Sequence, residues 1–132
     1  MIRKEIEYRD LNGDLQKTTA YFNMMTPEVT RITMKFGIDG DLKEGVAQMI
    51  ARRDGERMIE FLEDTILTAY GRRVESGKQF LKSKKDREDF ENSVAYAELF
   101  AAMLNDPNEM KEFTESLFAD TSAQNGKTLV TD

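Results

Sequence analysis

Positions 2 to 9 alternate in character: Ile2, Ile6 and Tyr8 fall on one side, and Arg3, Glu5, Glu7 and Arg9 on the other. That period of two is the signature of a half-buried strand. Asp10-Leu11-Asn12-Gly13-Asp14 follows, and Asn-Gly signals a hairpin because both central positions of a type I′ turn need positive φ. The returning strand, 15–23, has two registers open to it. A two-residue turn sets Tyr21 on the Ile6 face, whereas a one-residue bulge sets Phe22 there.

Beyond residue 25 the period lengthens. Thr26-Pro27-Glu28 reads as an N-cap with proline at the first helical position, and Val29, Ile32 and Phe36 recur at helical spacing. Stretch 37–40 breaks that helix. A second begins near Asp41, with Leu42, Val46, Met49 and Ile50 on one stripe. Asp54-Gly55 turns the chain, and a third helix carries Ile59, Leu62, Ile66 and Ala69 up to Gly71. Residues 72–82 read as a polar connection, extended and docked on the core through Phe80-Leu81. Ser83-Lys84-Lys85-Asp86 has capping-box form and opens a short charged helix ending near Phe90. Ser93 or Asn92 caps the next, whose wide stripe of Tyr96, Leu99, Phe100, Met103 and Leu104 implies burial on more than one side. Asp106-Pro107 starts a last helix bearing Met110, Phe113 and Leu117. From 119 to 132 the chain is polar and aperiodic, the pattern of a disordered C-terminal tail. The expected fold is α+β, mainly α: an N-terminal β-hairpin (2–23) followed by about six helices (26–118) in one compact domain, 1–118.

Composition narrows the function. The chain has 132 residues, enough for one hydrophobic core, and 25 acidic against 19 basic residues leave a formal charge of −6. Such a balance argues against nucleic-acid binding, which needs a basic face. Cysteine and histidine are both absent, which removes disulfides, thiolate chemistry, and the commonest general base and metal ligand. No apolar run approaches membrane-spanning length, and Met1-Ile2-Arg3-Lys4-Glu5 is not followed by the apolar stretch of a signal peptide. A cytoplasmic protein is the expectation.

Three near-motifs fail on spacing. Residues 71–79 look like a P-loop, yet the glycines are one residue too far apart, Gln79 sits where a Ser or Thr should bind Mg²⁺, and a helix precedes them. From Asp10 or Asp39, a calcium loop would need glycine at its sixth position and glutamate at its twelfth. Leu15 occupies that sixth position from Asp10, and Ile50 that twelfth from Asp39. Asp86, Glu88 and Asp89 around Arg87 typify the carboxylates, which lie on solvated helix faces rather than in a concave acid pair. The expectation is a protein that is not an enzyme and carries no metal or cofactor.

Two features point to binding. Lys78, Lys82, Lys84, Lys85 and Arg87 concentrate positive charge in an otherwise acidic chain, with Phe80 and Leu81 inside the stretch. The plain reading is a solvated loop and helix; the functional one is an anchor whose aromatic fills a pocket while the charges steer encounter. Eight methionines with no tryptophan are individually core filler, but collectively suit a surface that repacks around another chain's apolar segments.

An ordered series of segments carries a resemblance. It comprises Tyr21-Phe22-Asn23, Ile66-Leu67-Thr68-Ala69-Tyr70-Gly71 and Gly77-Lys78-Gln79-Phe80-Leu81-Lys82-Ser83. Phe90, then Ala95-Tyr96-Ala97-Glu98-Leu99-Phe100, Asp106 and Phe113 continue it. Over residues 1 to 118 the chain resembles the tail assembly chaperones of long-tailed bacteriophages of Gram-positive hosts. Ser76 stands where that family usually has aspartate, and Ala119 where a proline often follows the last helix.

The resemblance implies a protein that binds the tape measure protein in the host cytoplasm before the tail tube polymerises. It is then displaced and is absent from the mature virion. It also implies self-association into a homo-oligomer, possible contact with the tail tube protein, and a longer form of the same chain made by programmed frameshift. Gly126-Lys127 can be encoded by a slippery run of the G-GGA-AAG kind. The candidate partner-binding residues are Phe80, Leu81 and Lys82, with Tyr96 and Phe100 beside them. The rival reading is a structural tail or head–tail connector protein of the virion.

Overall fold

The computed structural model describes residues 1–38 and 42–131, with the side chains of Leu42, Ser76 and 120–131 outside the description. The chain begins with β1 (Ile2–Arg9) and β2 (Leu15–Phe22), then α1 (Thr26–Lys35), α2 (Leu42–Ala51) and α3 (Gly55–Ala69). Strands β3 (Tyr70–Val74) and β4 (Gln79–Leu81) follow, joined by a tight turn over Glu75–Gly77. Helices α4 (Lys84–Glu91), α5 (Val94–Asn105) and α6 (Pro107–Thr131) complete the chain. The architecture is α+β and mainly helical, as the hydrophobic periods predict.

The hairpin resolves the open register. Ile2 lies opposite Phe22 and Ile6 opposite Thr18, so Ile6, Ala20 and Phe22 share the buried face and Tyr21 points away. The turn is not the two-residue I′ type. Gly13 donates to the Asp10 carbonyl at 2.9 Å and is left-handed at φ 84, whereas Asn12 is not among the positive-φ residues. One glycine thus supplies the bulge that sets Phe22 inward. The Asp10 carboxylate accepts the Asn12 and Asp14 amides, each at 2.9 Å. These bonds, that of Asp14 foremost, hold its pKa below the usual carboxylate value. This acidic loop is a turn. The Asp39-Gly40-Asp41 stretch lies outside the described residues.

Helix starts follow local chemistry. Asp54, Ser83 and Ser93 accept the amides of Arg57, Asp86 and Tyr96 at 3.2, 3.0 and 3.1 Å. Helix α1 differs by one residue from the sequence expectation. Met25 is its N-cap, Thr26 is already helical, and Glu28 at N3 accepts the Met25 amide at 2.9 Å. Residues 72–82 form more than an extended connection. β3 pairs with β2 and β4 with β3, giving a four-stranded sheet in the order β1-β2-β3-β4. The Asn23 amide donates to the Ala69 carbonyl at 2.9 Å and locks the end of α3 to the sheet.

The core fills the space between the sheet's inner face and the helices. Phe22 stands at its centre, edge-on to Tyr70, Phe90 and Phe113 with centroids 5.9, 6.1 and 5.3 Å away. Tyr70 stacks flat on Phe90 at 4.0 Å. Such pairs add about 0.5–1.5 kcal/mol each beyond the area they bury. Helix α6 packs here through Met110, Phe113, Leu117 and Phe118, and its backbone stays helical to Thr131. The expected tail, 119–132, lies almost wholly where side chains are outside the description, as does Lys127 of the Gly126-Lys127 pair.

Candidate functional site

Strand β4 presents its residues to two sides. Phe80 pairs with Arg73, which shares the outer face of the sheet with Tyr21 and Gly71. The Phe80 ring reaches diagonally across to cover Gly71. A Cβ placed on Gly71 would lie 2.6 Å from the ring and 2.8 Å from the Leu81 carbonyl oxygen, so only glycine permits this approach. The Arg73 guanidinium sits 5.1 Å from the Tyr21 ring centroid. The outer face therefore carries Tyr21, Arg73 and Phe80 together.

Lys82, just past the strand, turns instead toward α1. Leu81 is 44 % exposed. The Lys82 ammonium donates to both oxygens of the Glu28 carboxylate at 2.6 and 2.7 Å, with the two side chains only 24 % and 19 % exposed. Glu28 thereby accepts from both Lys82 and the Met25 amide, bringing Met25, itself 52 % exposed, to the same locality. Burial pushes the Lys82 pKa down, and Arg87 nearby adds to this. The Glu28 carboxylate opposes both without overcoming them.

The basic stretch is partly neutralised. Lys84 pairs with Glu88 at 3.9 Å and Arg72 with Asp86 at 3.3 Å. Lys78, Lys85 and Arg87 make no ion pair among the described residues. Beside Lys82 a cavity of about 250 Å³ opens between α1, α3 and α4. Arg31 on α1 and Arg87 on α4 line it, with Tyr70, Lys82 and Ser83.

Tyr96 and Phe100 occupy a different place. They lie on α5, partly buried against the core, with ring centroids 5.9 Å apart, and Tyr96 meets Phe90 edge-on at 5.5 Å. Burial, with Glu63, Glu91 and Asp64 adding to it, pushes the Tyr96 phenol up to about 12. Among the described residues no ring pair joins either to Phe80, which covers the opposite face of the sheet. The expected five-residue set is thus two groups: Phe80, Leu81 and Lys82 on one strand end, and Tyr96 with Phe100 continuing the core's aromatic chain.

Met25, Glu28 and Arg31 also belong to the β4 locality, and nothing in the linear pattern marks them. Glu28 reads as a helix-capping acid, and its link to Lys82 spans 54 positions.

Among the described residues, no helix is long and apolar enough to cross a membrane, and no cluster of acidic side chains could hold a metal. A family profile described as phage tail assembly chaperone matches residues 1–127. The chain belongs to that family. No curated protein and no solved structure matches it.

Proposed function

We propose that this tail assembly chaperone binds the tape measure protein in the host cytoplasm, keeps it soluble until the tail tube polymerises, and is absent from the finished virion. The observation that carries the reading is the β4 locality. There, half-exposed Leu81 and Met25 flank a Lys82–Glu28 pair that is itself mostly withdrawn from water. Apolar side chains held open around an ordered ion pair can contact a foreign helix without first being exposed by unfolding. Phe80, Leu81 and Lys82 are the contact residues, and Tyr96 with Phe100 supports the α5 side. A polymerising tube must strip the chaperone away, so each contact is modest and many copies on one long tape measure supply avidity. Self-association, contact with the tail tube protein, and a longer frameshift form that shares this domain fit the same scheme.

The test is co-expression with the tape measure protein of the same phage. The wild-type chain should shift it into the soluble fraction as a complex, and Leu81→Asp should lose the shift while keeping the wild-type circular dichroism spectrum. Mass spectrometry of purified virions should then find no copy of the chain. A tape measure protein that stays insoluble and uncomplexed beside the folded wild-type chaperone sinks the reading.

A further inference from the structure

The cavity beside Lys82 has a charge opposite to that of the chain around it. Three cations line it, Arg31, Lys82 and Arg87, against one carboxylate, Glu28. Lys82 is matched by Glu28 at 2.6 Å. The Arg31 and Arg87 guanidinium groups make no ion pair or side-chain hydrogen bond among the described residues, so the cavity keeps their positive charge in a chain of net charge −6. Two arginines set on separate helices around a recess, with the hydroxyl-bearing Ser83 on its wall, suit a planar carboxylate better than a diffuse counter-ion cloud. A neighbouring cavity of about 390 Å³ shares Leu67, Thr68 and Arg87 with it, making one groove along α3 and α4. The second cavity is lined by Asp64, Glu88 and Glu91 together with Lys84 and Arg87, and its carboxylates Asp64 and Glu88 are paired with Lys35 and Lys84 at 2.6 and 3.9 Å. Leu67 thus lines both cavities, and the unmatched positive charge lies in the one beside Lys82.

We propose that this groove docks an amphipathic helix of a partner polypeptide, with a glutamate or aspartate of that helix seated between Arg31 and Arg87. The claim rests on the reading that this face meets a protein, and it adds the chemistry that the partner segment must carry. Charge complementarity selects the occupant: a basic segment would meet two unpaired guanidinium groups, and a purely apolar one would bury them without a partner.

The test needs no tape measure protein, so its failure is distinct from a failed solubility rescue. The probes are capped helical peptides of about fifteen residues, long enough to hold a helix in water. They have leucines along one face and a central glutamate, with Gln and Lys versions of the central position. Binding is followed by fluorescence anisotropy at low salt. The wild-type protein should favour the Glu peptide over the Gln peptide about tenfold, the sum expected from two partly exposed ion pairs, and the preference should shrink as salt is raised. Arg31→Gln with Arg87→Gln should abolish the preference, and Arg31→Glu with Arg87→Glu should turn it toward the Lys peptide. Both substituted positions are exposed, so the variants should keep the wild-type circular dichroism spectrum. Equal binding of the Glu and Gln peptides, binding of neither, or a preference that survives in the double variants overturns the proposal. So does a site that inorganic phosphate saturates while the Glu peptide leaves it untouched, since that marks a pocket for a free anion.

Discussion

Replacing Gly71 by alanine tests whether β4, and with it the candidate surface, is held where the geometry places it. The added Cβ would stand 2.6 and 2.7 Å from two Phe80 ring carbons and 2.8 Å from the Leu81 carbonyl oxygen. The ring can rotate away at the cost of its contacts with the sheet. The carbonyl is backbone, and moving it opens the ladder that pairs Arg72, Arg73 and Val74 with Leu81, Phe80 and Gln79. Overpacking of this kind costs about 1–3 kcal/mol. Against it stands about 0.4–1 kcal/mol gained by stiffening the unfolded chain, because Gly71 is not in the left-handed region. The net expectation is a loss of about 1–2 kcal/mol. With an unfolding entropy of about 2.1 cal/mol/K per residue, that lowers Tm by about 4–7 °C. Thermal denaturation measures the loss, and amide exchange at residues 79–81 locates it. In a Phe80→Ala background the penalty should shrink to the part owed to the Leu81 carbonyl, so the double-mutant cycle should show coupling. An alanine variant as stable as the parent, with residues 79–81 equally protected, would refute the close packing of β4 on β3.

Two further outcomes follow from single groups. The Tyr96 phenol keeps its proton to about pH 12 when folded, whereas in the unfolded chain it titrates near about pH 10. The folded state therefore binds more protons between these values, and stability falls as pH rises through that window. Tyr96→Phe should make this alkaline limb shallower in denaturant titrations, the remainder including the Tyr70 phenol that burial also pushes up, and an unchanged limb would remove Tyr96 as a cause. The Thr65 hydroxyl is fully buried with no partner among the described residues, whereas that of Thr114 donates to the Met110 carbonyl at 3.0 Å. Thr65→Val should be neutral or raise stability by up to about 1 kcal/mol, and Thr114→Val should lower it by about 1 kcal/mol. Equal losses in urea unfolding would mean that Thr65 bonds to a trapped water.

The hydrophobic periods carry the architecture because they report burial directly. Ile2, Ile6 and Tyr8 mark β1, and the stripes on α5 and α6 lie where their spacing puts them; on α3 Leu62, Ile66 and Ala69 are buried as spaced, but Ile59 is 41 % exposed and Phe61 and Thr65 face the core instead. What escaped was the β3–β4 hairpin. Its alternation is hidden because Arg72 and Arg73 occupy both faces of β3, one paired with Asp86 and the other over Tyr21. Gly71 contributes no side chain to any pattern. The hairpin turn misled for a related reason. Asn-Gly fits a two-residue loop locally, but Asp10 offers its carboxylate to two amides and stabilises a longer one. At the candidate surface, Phe80, Leu81 and Lys82 stood out as an apolar pair inside a basic run. Met25, Glu28 and Arg31 did not, since their association with Lys82 exists only after α1 and β4 meet.

Many of the residues that carry the family resemblance turn out to be those that build one continuous junction. Tyr21 and Phe22 pair with Gly71 and Tyr70, and Phe80 covers Gly71. Phe22, Tyr70 and Phe90 enclose one another, and Tyr96 and Phe100 extend the rings onto α5. A substitution at Tyr96 or Phe100 would disturb this packing and confound any binding assay with lost stability. The proposed function sets the opposite requirement: if growing tail subunits displace the chaperone, its contacts must be removable while the fold stands. Side chains that are exposed and spend nothing on the core satisfy it, as Leu81, Met25, Arg31 and Arg87 do. Partner choice can then vary at the rim of the groove while the aromatic junction beneath it stays fixed.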